Sequence, residues 1–283
     1  MKGGFARFVV AFMLLFFCVC TCSCSKKKTE EEEPGLTPEE QKIVDAVNAF
    51  TAIAHPAEYA DEIAAVTANI DTHKMDFYHE LEAVIAADTE NYLFLIDRTH
   101  TVPEDYEPED LITLVKNDSY PINKTGMKIR EPVEAALRVM ADAARADGLS
   151  LLVSSAYRTY DYQKMLYERN VKQMGKEAAD RESAPPGTSQ HHLGTAIDFG
   201  SIEDSYAETK PGKWLTAHAA EYGFSLSFPE GYEPVTGYRW ECWHYRYLGK
   251  AAVDFQKKWF HDVQQYMMEF IYCYKNLYET NEL

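Results

Sequence analysis

The chain has 283 residues, 46% of them hydrophobic and 13% aromatic, enough apolar surface for a substantial core in one large domain, with or without an appendage. Its formal charge of −17 repels phosphate backbones and sets nucleic acid aside as a partner.

At the amino terminus, Lys2 and Arg7 precede the apolar run FVVAFMLLFF, which is too short and too closely followed by charge to be an ordinary membrane span. Residues 1–24 read as a secretion signal, so the protein is expected to be exported. Four of the six cysteines, Cys18, Cys20, Cys22 and Cys24, stand where the apolar run gives way to SKKKTEEEEPG. An apolar run, small residues and a cysteine ahead of a hydrophilic tether resemble a bacterial lipoprotein signal. That resemblance implies lipidation of Cys24 after cleavage, with Cys22 as the alternative. It also implies a membrane-anchored protein of the cell envelope that faces the periplasm or the exterior. The competing reading is an ordinary cleaved signal whose cysteines are incidental. Only Cys242 and Cys273 remain downstream, so no disulfide framework supports the fold.

Residues 25–36 form a charge run without apolar periodicity, expected to be a solvated linker. A helical region follows over residues 37–90. Thr37 is a candidate N-cap, Pro38 sits at the first helical position and Glu40 completes a capping box. Ile43, Val44, Val47 and Phe50 make one apolar stripe. Further helices are predicted from Tyr59 to Ile70 and from Lys74 to Ala87, with His55, His73 and His79 as surface or packing residues. Tyr92 to Ile96 looks like a strand and leads into a Pro- and acid-rich segment too irregular for a helix. Glu131 to Asp147 is a strongly amphipathic helix stopped by Gly148.

LSLLVSSAYR then reads as a buried strand, YDYQKMLYERNVKQMG as a helix ending at Gly175, and GTAIDFGS as a strand. KWLTAHAAEYGF reads as a helix closed by Gly223 and YRWECWHYRYL as an aromatic strand. The tail, residues 251–283, is predicted to be an aromatic-rich C-terminal helix that packs back on the domain. Helices and strands mix without regular alternation, which argues for an α+β fold.

Chemistry concentrates in SAPPGTSQHHLGTAIDFG and GYRWECWHYRYLG. His191, Asp198 and His244 are candidate zinc ligands, because imidazole nitrogen and carboxylate oxygen suit Zn²⁺ and three protein ligands leave a fourth tetrahedral position open. Glu241, three residues before His244, is a candidate acid/base if its carboxylate reaches the reacting water rather than the metal. Positions three apart in a strand point to opposite sides, so a bulge or strand end near Cys242 and Trp243 is required to re-aim one side chain.

Together these residues resemble the VanY-type D-alanyl-D-alanine carboxypeptidase family, which shares its zinc fold with VanX-type dipeptidases and the hedgehog amino-terminal domain. The pattern Ser-x-His-x-x-Gly-x-Ala-x-Asp is met by Ser189, His191, Gly194, Ala196 and Asp198. The later Glu-x-Trp-His-Tyr-Arg-Tyr-x-Gly is met by Glu241, Trp243, His244, Tyr245, Arg246, Tyr247 and Gly249. SSAYRTYDYQ and VPEDYEPEDL extend the similarity upstream, to roughly Tyr92 through Lys250. Cys242 stands where a proline is frequent and Thr159 where serine is common. The resemblance implies a small antiparallel sheet packed by helices over residues 91–250, with helical flanks outside it. It implies one Zn²⁺ on His191, Asp198 and His244, with Glu241 as acid/base, and it puts His192 at a variable position.

The resemblance also implies a role in substrate binding for Arg158, Gln163 and Ser189, the guanidinium being a planar partner for a terminal carboxylate. Tyr157 and Trp243 are candidate apolar walls. The implied substrate is a peptidoglycan stem peptide ending in D-alanine, by D,D- or L,D-cleavage. Two alternatives stay open: a zinc-containing binding module without catalysis, and a structural envelope lipoprotein that works through its helical flanks.

Overall fold

The computed structural model describes residues 35–278. The signal segment with Cys24 and Cys22, and nearly all of the charged linker, lie outside the described residues. The first helix, α1 (Pro38–Thr51), begins as its sequence requires: Glu40 N–H donates to Thr37 Oγ1 (3.1 Å) and Thr37 N–H to Glu40 Oε2 (2.8 Å). A 3-10 turn at Ala57–Tyr59 leads into α2 (Ala60–Thr72), and α3 (Lys74–Ala87) follows directly.

Tyr92 to Ile96 is not a strand. Its backbone groups are satisfied by side chains instead of by a neighbouring strand: Asp88 accepts from Tyr92 N–H (2.6 Å) and Leu93 N–H (3.0 Å). The Arg246 guanidinium donates to the carbonyls of Tyr92 (2.8 Å) and Phe94 (2.7 Å). The acid-rich segment ends in a strand that apolar periodicity did not reveal, β1 (Leu111–Thr113), which pairs antiparallel with β2 (Lys128–Arg130).

The amphipathic α4 (Glu131–Ala146) carries Val133, Leu137, Met140 and Ala144 on its buried face. Next come β3 (Val153–Ser155), α5 (Tyr160–Met174), a short α6 (Lys176–Glu182) and β4 (Ala196–Phe199). They are followed by α7 (Lys210–His218), β5 (Phe224–Leu226), the single-turn α8 (Glu233–Thr236) and β6 (His244–Tyr247). The tail is two helices rather than one, α9 (Lys250–Trp259) and α10 (Gln264–Tyr278). The break falls at His261 and Asp262, whose left-handed backbones (φ 51° and 61°) interrupt the helical ladder. Gln256 Nε2 steadies the turn by donating to the Asp262 carbonyl (2.9 Å).

β3, β4, β6 and β5 form one antiparallel sheet in that order, with a register shift between Val153 and Ser155. Its core joins Val153, Ile197, Phe199 and Tyr245 to the buried sides of α4 and α7. A second core is helical. Ile43, Phe50, Ile70, Phe77 and Leu81 from the amino-terminal helices interleave with Phe255, Trp259, Phe270 and Tyr274 from α9 and α10. Leu93, Leu95 and Leu248 join this second core from the segments flanking the sheet, and the chain from Leu36 onward is one compact unit.

Candidate active site

Antiparallel pairing puts Asp198 on β4 directly opposite His244 on β6, so their side chains share one face of the sheet. His191 arrives from the 3-10 turn Gln190–Leu193, where Ser189 Oγ caps the His191 N–H (3.3 Å) and Gly194 closes the turn. Gly194 has φ 65°, and a Cβ there would meet Arg130 Cγ at 2.9 Å, so the turn admits only glycine. The ligand atoms of His191, Asp198 and His244 all lie within 4.8 Å of one another. All three residues are almost fully enclosed, at 2%, 2% and 3% exposure.

Outer hydrogen bonds fix how the imidazoles present themselves. His191 Nδ1 lies 2.7 Å from the Ala156 carbonyl, which can only accept, so Nδ1 carries the proton and Nε2 turns its lone pair inward, 3.2 Å from Asp198 Oδ2. His244 Nε2 is 3.1 Å from Gln190 Oε1, which leaves the Nδ1 lone pair facing Asp198 Oδ1 at 3.1 Å. Burial lowers the His191 pKa to about 4, with Arg158 adding to the effect, so this ring is neutral at neutral pH. Burial opposes the charge on Asp198, but the Arg158 guanidinium, which donates to its Oδ2 (2.7 Å), favours the ionised form, and the carboxyl is held well below the usual carboxylate range. Two imidazole lone pairs thus converge on a carboxylate with no proton to share. That donor set, with each far nitrogen already occupied, fits a divalent cation such as Zn²⁺.

Glu241 reaches the same place by a turn. Its N–H bonds the Phe228 carbonyl (3.0 Å), and its own carbonyl accepts from His244 N–H (3.0 Å), so β6 begins only at His244. The strand-end geometry brings Glu241 Oε2 within 3.6 Å of His244 Nδ1. Burial raises the Glu241 carboxyl well above the usual carboxylate range, and the charge of Asp198 reinforces this. Cys242, in the same turn, points away: its Sγ lies 3.7 Å from the carbonyls of Glu203 and Asp204.

His191, Asp198, His244 and Glu241 line a cleft, open at its mouth, together with Arg158, Ser189 and Trp243. Arg158 donates to Asp198 Oδ2 (2.7 Å), to Ser155 Oγ (3.0 and 3.1 Å) and to Gln163 Oε1 (3.3 Å). Gln163 does not line the cleft. It is fully buried, donates to the Ala184 carbonyl (2.7 Å) and steadies Arg158 from behind. Tyr157 is not brought to the cleft either; with Lys124, Lys128 and Tyr162 it lines a separate depression on the far side of Arg158. His192 is latched by its backbone surroundings: Nδ1 donates to the Arg158 carbonyl (2.8 Å) and Nε2 accepts from Gly187 N–H (3.1 Å). Sequence reasoning missed Gln190, Phe228, Tyr238, Ile96 and Gln265, which complete the cleft wall. Gln190 lies between two quoted motif positions, but nothing local distinguishes it; the others converge only through the fold.

The family model for VanY, D-alanyl-D-alanine carboxypeptidase, matches residues 126–250. The protein YodJ of Bacillus subtilis (strain 168) is 33% identical over 186 residues, 62% of this chain and 68% of its own length. Among solved structures, the LdcB LD-carboxypeptidase is similar at TM-score 0.55 and 32% identity, covering 62% of this chain and 87% of that one. A mutant of the D,D-pentapeptidase VanY from a VanB-type resistance cassette, in complex with Zn(II), is similar at TM-score 0.52 and 30% identity, covering 62% and 98%. With its fold, site motifs and long matched segment in agreement, the chain is a peptidase that belongs to the VanY-type D-alanyl-D-alanine carboxypeptidase family.

Proposed function

We propose that this protein is a zinc-dependent carboxypeptidase that removes the terminal D-alanine from peptidoglycan stem peptides, with His191, Asp198 and His244 holding one Zn²⁺ and Glu241 as the acid/base. The observation that carries the reading is the convergence of three electron-pair donors within 4.8 Å, with a carboxyl of raised pKa 3.6 Å from one of them. When bound, zinc supplies Lewis-acid polarisation of the scissile carbonyl. Glu241 takes the proton of the attacking water and returns it to the leaving amine, a task suited to a carboxyl whose pKa is raised by burial. Arg158 has five N–H donors, and the hydrogen bonds above leave one on Nη1 to meet the substrate's terminal carboxylate. Ser189 and Trp243 border the same space.

The solved relatives bear both D,D- and LD- names, so the residue preceding the terminal D-alanine is assigned by assay. The signal-like segment with Cys24 supports an exported, lipid-anchored enzyme at the envelope. Incubation of purified muropeptides with the protein, followed by mass spectrometry, should show loss of one alanine from pentapeptide or tetrapeptide stems. Chelator should abolish the loss. Unchanged muropeptides at full zinc occupancy would refute the proposal.

A further inference from the structure

The helical layer lies outside the segment matched by the family model, yet one of its residues reaches the surroundings of a proposed metal ligand. Gln264, the first residue of α10, is 2% exposed and touches Gln190 and Ser227, both also buried. Gln190 is the residue that sets the His244 tautomer. A glutamine amide has two unlike ends, and a flip would present N–H to His244 Nε2 in place of an acceptor, moving the ring proton to Nδ1 so that an N–H instead of a lone pair faces Asp198.

Gln264 decides the orientation, because the Ser227 hydroxyl, which also lies 3.3 Å from Gln264 Oε1, can donate or accept. Ser227 Oγ donates to Gln190 Oε1 (2.7 Å), the same oxygen that faces His244 Nε2 at 3.1 Å. Gln190 Nε2 donates to Gln264 Oε1 (3.3 Å), while Gln264 Nε2 points to the Ser225 carbonyl (3.5 Å) and so keeps its own oxygen toward Gln190. The Gln264 oxygen is the acceptor for the amide end of Gln190, and both residues are buried. Without it, the buried NH₂ is left unsatisfied in its present orientation and the flipped one becomes competitive.

We propose that Gln264 is a positioning residue for the metal centre: through Gln190 it holds His244 with its Nδ1 lone pair toward Asp198, so that the carboxyl-terminal helices form part of the enzyme's site. The helix that carries Gln264 is itself tied to the amino-terminal region, by His55 Nε2 to Glu269 Oε2 (2.8 Å) and by Tyr278 OH to Asp45 Oδ2 (2.5 Å). Both flanks therefore brace His244. The inference rests on the zinc reading above, and its test separates the two.

The experiment measures zinc affinity by chelator competition, and thermal unfolding without metal, for wild type, Gln264→Met, Gln190→Met and Gln256→Met. Gln256 is the control, a buried glutamine of α9 bonded to Ser225 Oγ (2.9 Å) and Asp262 but not to Gln190. Gln264→Met should weaken zinc binding about tenfold and Gln190→Met at least as much, the range seen for outer partners of metal-bound histidines. Gln256→Met should lower the melting temperature without metal yet leave zinc affinity at the wild-type value. Should Gln264→Met fail to fold, Gln264→Asn, which withdraws the acceptor from Gln190 with little change in chemistry, carries the same readout. Wild-type affinity in Gln264→Met or in Gln190→Met, or equal loss in Gln256→Met, overturns the positioning role. A wild-type protein that binds no zinc, or a His244→Ala variant that binds it undiminished, overturns the metal reading itself and this inference with it.

Discussion

His191 and His192 are chemically identical neighbours with opposite surroundings, because consecutive residues of a 3-10 turn project in different directions. One offers a lone pair to a buried carboxylate, and the other has both ring nitrogens taken by backbone groups. Glu241 differs from Asp198 in the same way: Asp198 is held ionised by the groups facing it, whereas Glu241 is pushed toward its neutral form by burial. Glu241→Gln should therefore retain zinc and lose turnover by roughly 100- to 10,000-fold, whereas His244→Ala should lose both. Metal content and muropeptide turnover of the same preparations check this, and equal zinc loss in the two variants would make Glu241 a ligand. Arg158→Ala should raise KM on peptides with a free terminal carboxylate by roughly 10- to 100-fold, the worth of a hydrogen bond to a charged group. Amide-capped peptides provide the comparison, and an unchanged KM would remove Arg158 from substrate recognition.

At the scale of elements, the irregular stretch after α3 does as much for the architecture as a strand would. Arg246, buried in β6, binds two of its carbonyls, and Asp88 caps two of its amides. The stretch continues into the turn Asp97–His100, where Asp97 Oδ1 accepts from Thr99 N–H (2.7 Å) and His100 N–H (2.8 Å) and Oδ2 accepts from Gln265 of α10 (3.2 Å). Burial opposes ionisation of Asp97, but the His100 ring and these donors outweigh it and hold its carboxyl below the usual range. A carboxylate with a depressed folded pKa adds stability that is full above its unfolded pKa and is lost as pH falls through the folded one. The stability gap between wild type and Asp97→Asn should thus be constant above pH 3.8, the unperturbed value, and should narrow below it. Denaturant titrations across that range test the sign; a gap that does not narrow as pH falls below 3.8 would show that charge at Asp97 contributes nothing.

On the largest scale, the described residues form two large cores, one under the sheet and one among the flanking helices, beside a small cluster of Ile96, Val102 and Leu193. Phe77 is the hub of the second: its ring lies 5.1 Å from those of Trp259 and Phe270 and 5.3 Å from Phe255, joining α3 to α9 and α10. Phe77→Ala should cost ~3–5 kcal/mol. Because Leu93, Leu95 and Leu248 tie that core to the segments flanking the sheet, the loss should appear as a shift of a single cooperative unfolding transition. A separate early transition, with the sheet core melting unchanged, would show the flanks to be an independent unit.

The sequence by itself determined what short-range chemistry controls. The capping box at Thr37, the stripes of α1 and α4, the glycine stops at Gly148 and Gly223, the spacing of His191 to Asp198 and that of Glu241 to His244 each involve residues within about a turn or a short motif of one another, whereas the 46 positions between Asp198 and His244 are closed only by β4–β6 pairing. Tertiary structure alone decided the rest. It decided that Tyr92 to Ile96 is not a strand, that the tail breaks at His261, that Tyr157 turns away from the cleft and that Gln264 meets Gln190 across 74 positions of chain. Each of those outcomes depends on which distant group satisfies a buried polar atom or fills a gap in a core. Such partners leave no periodic trace along the chain, because packing selects them only after the local elements have formed.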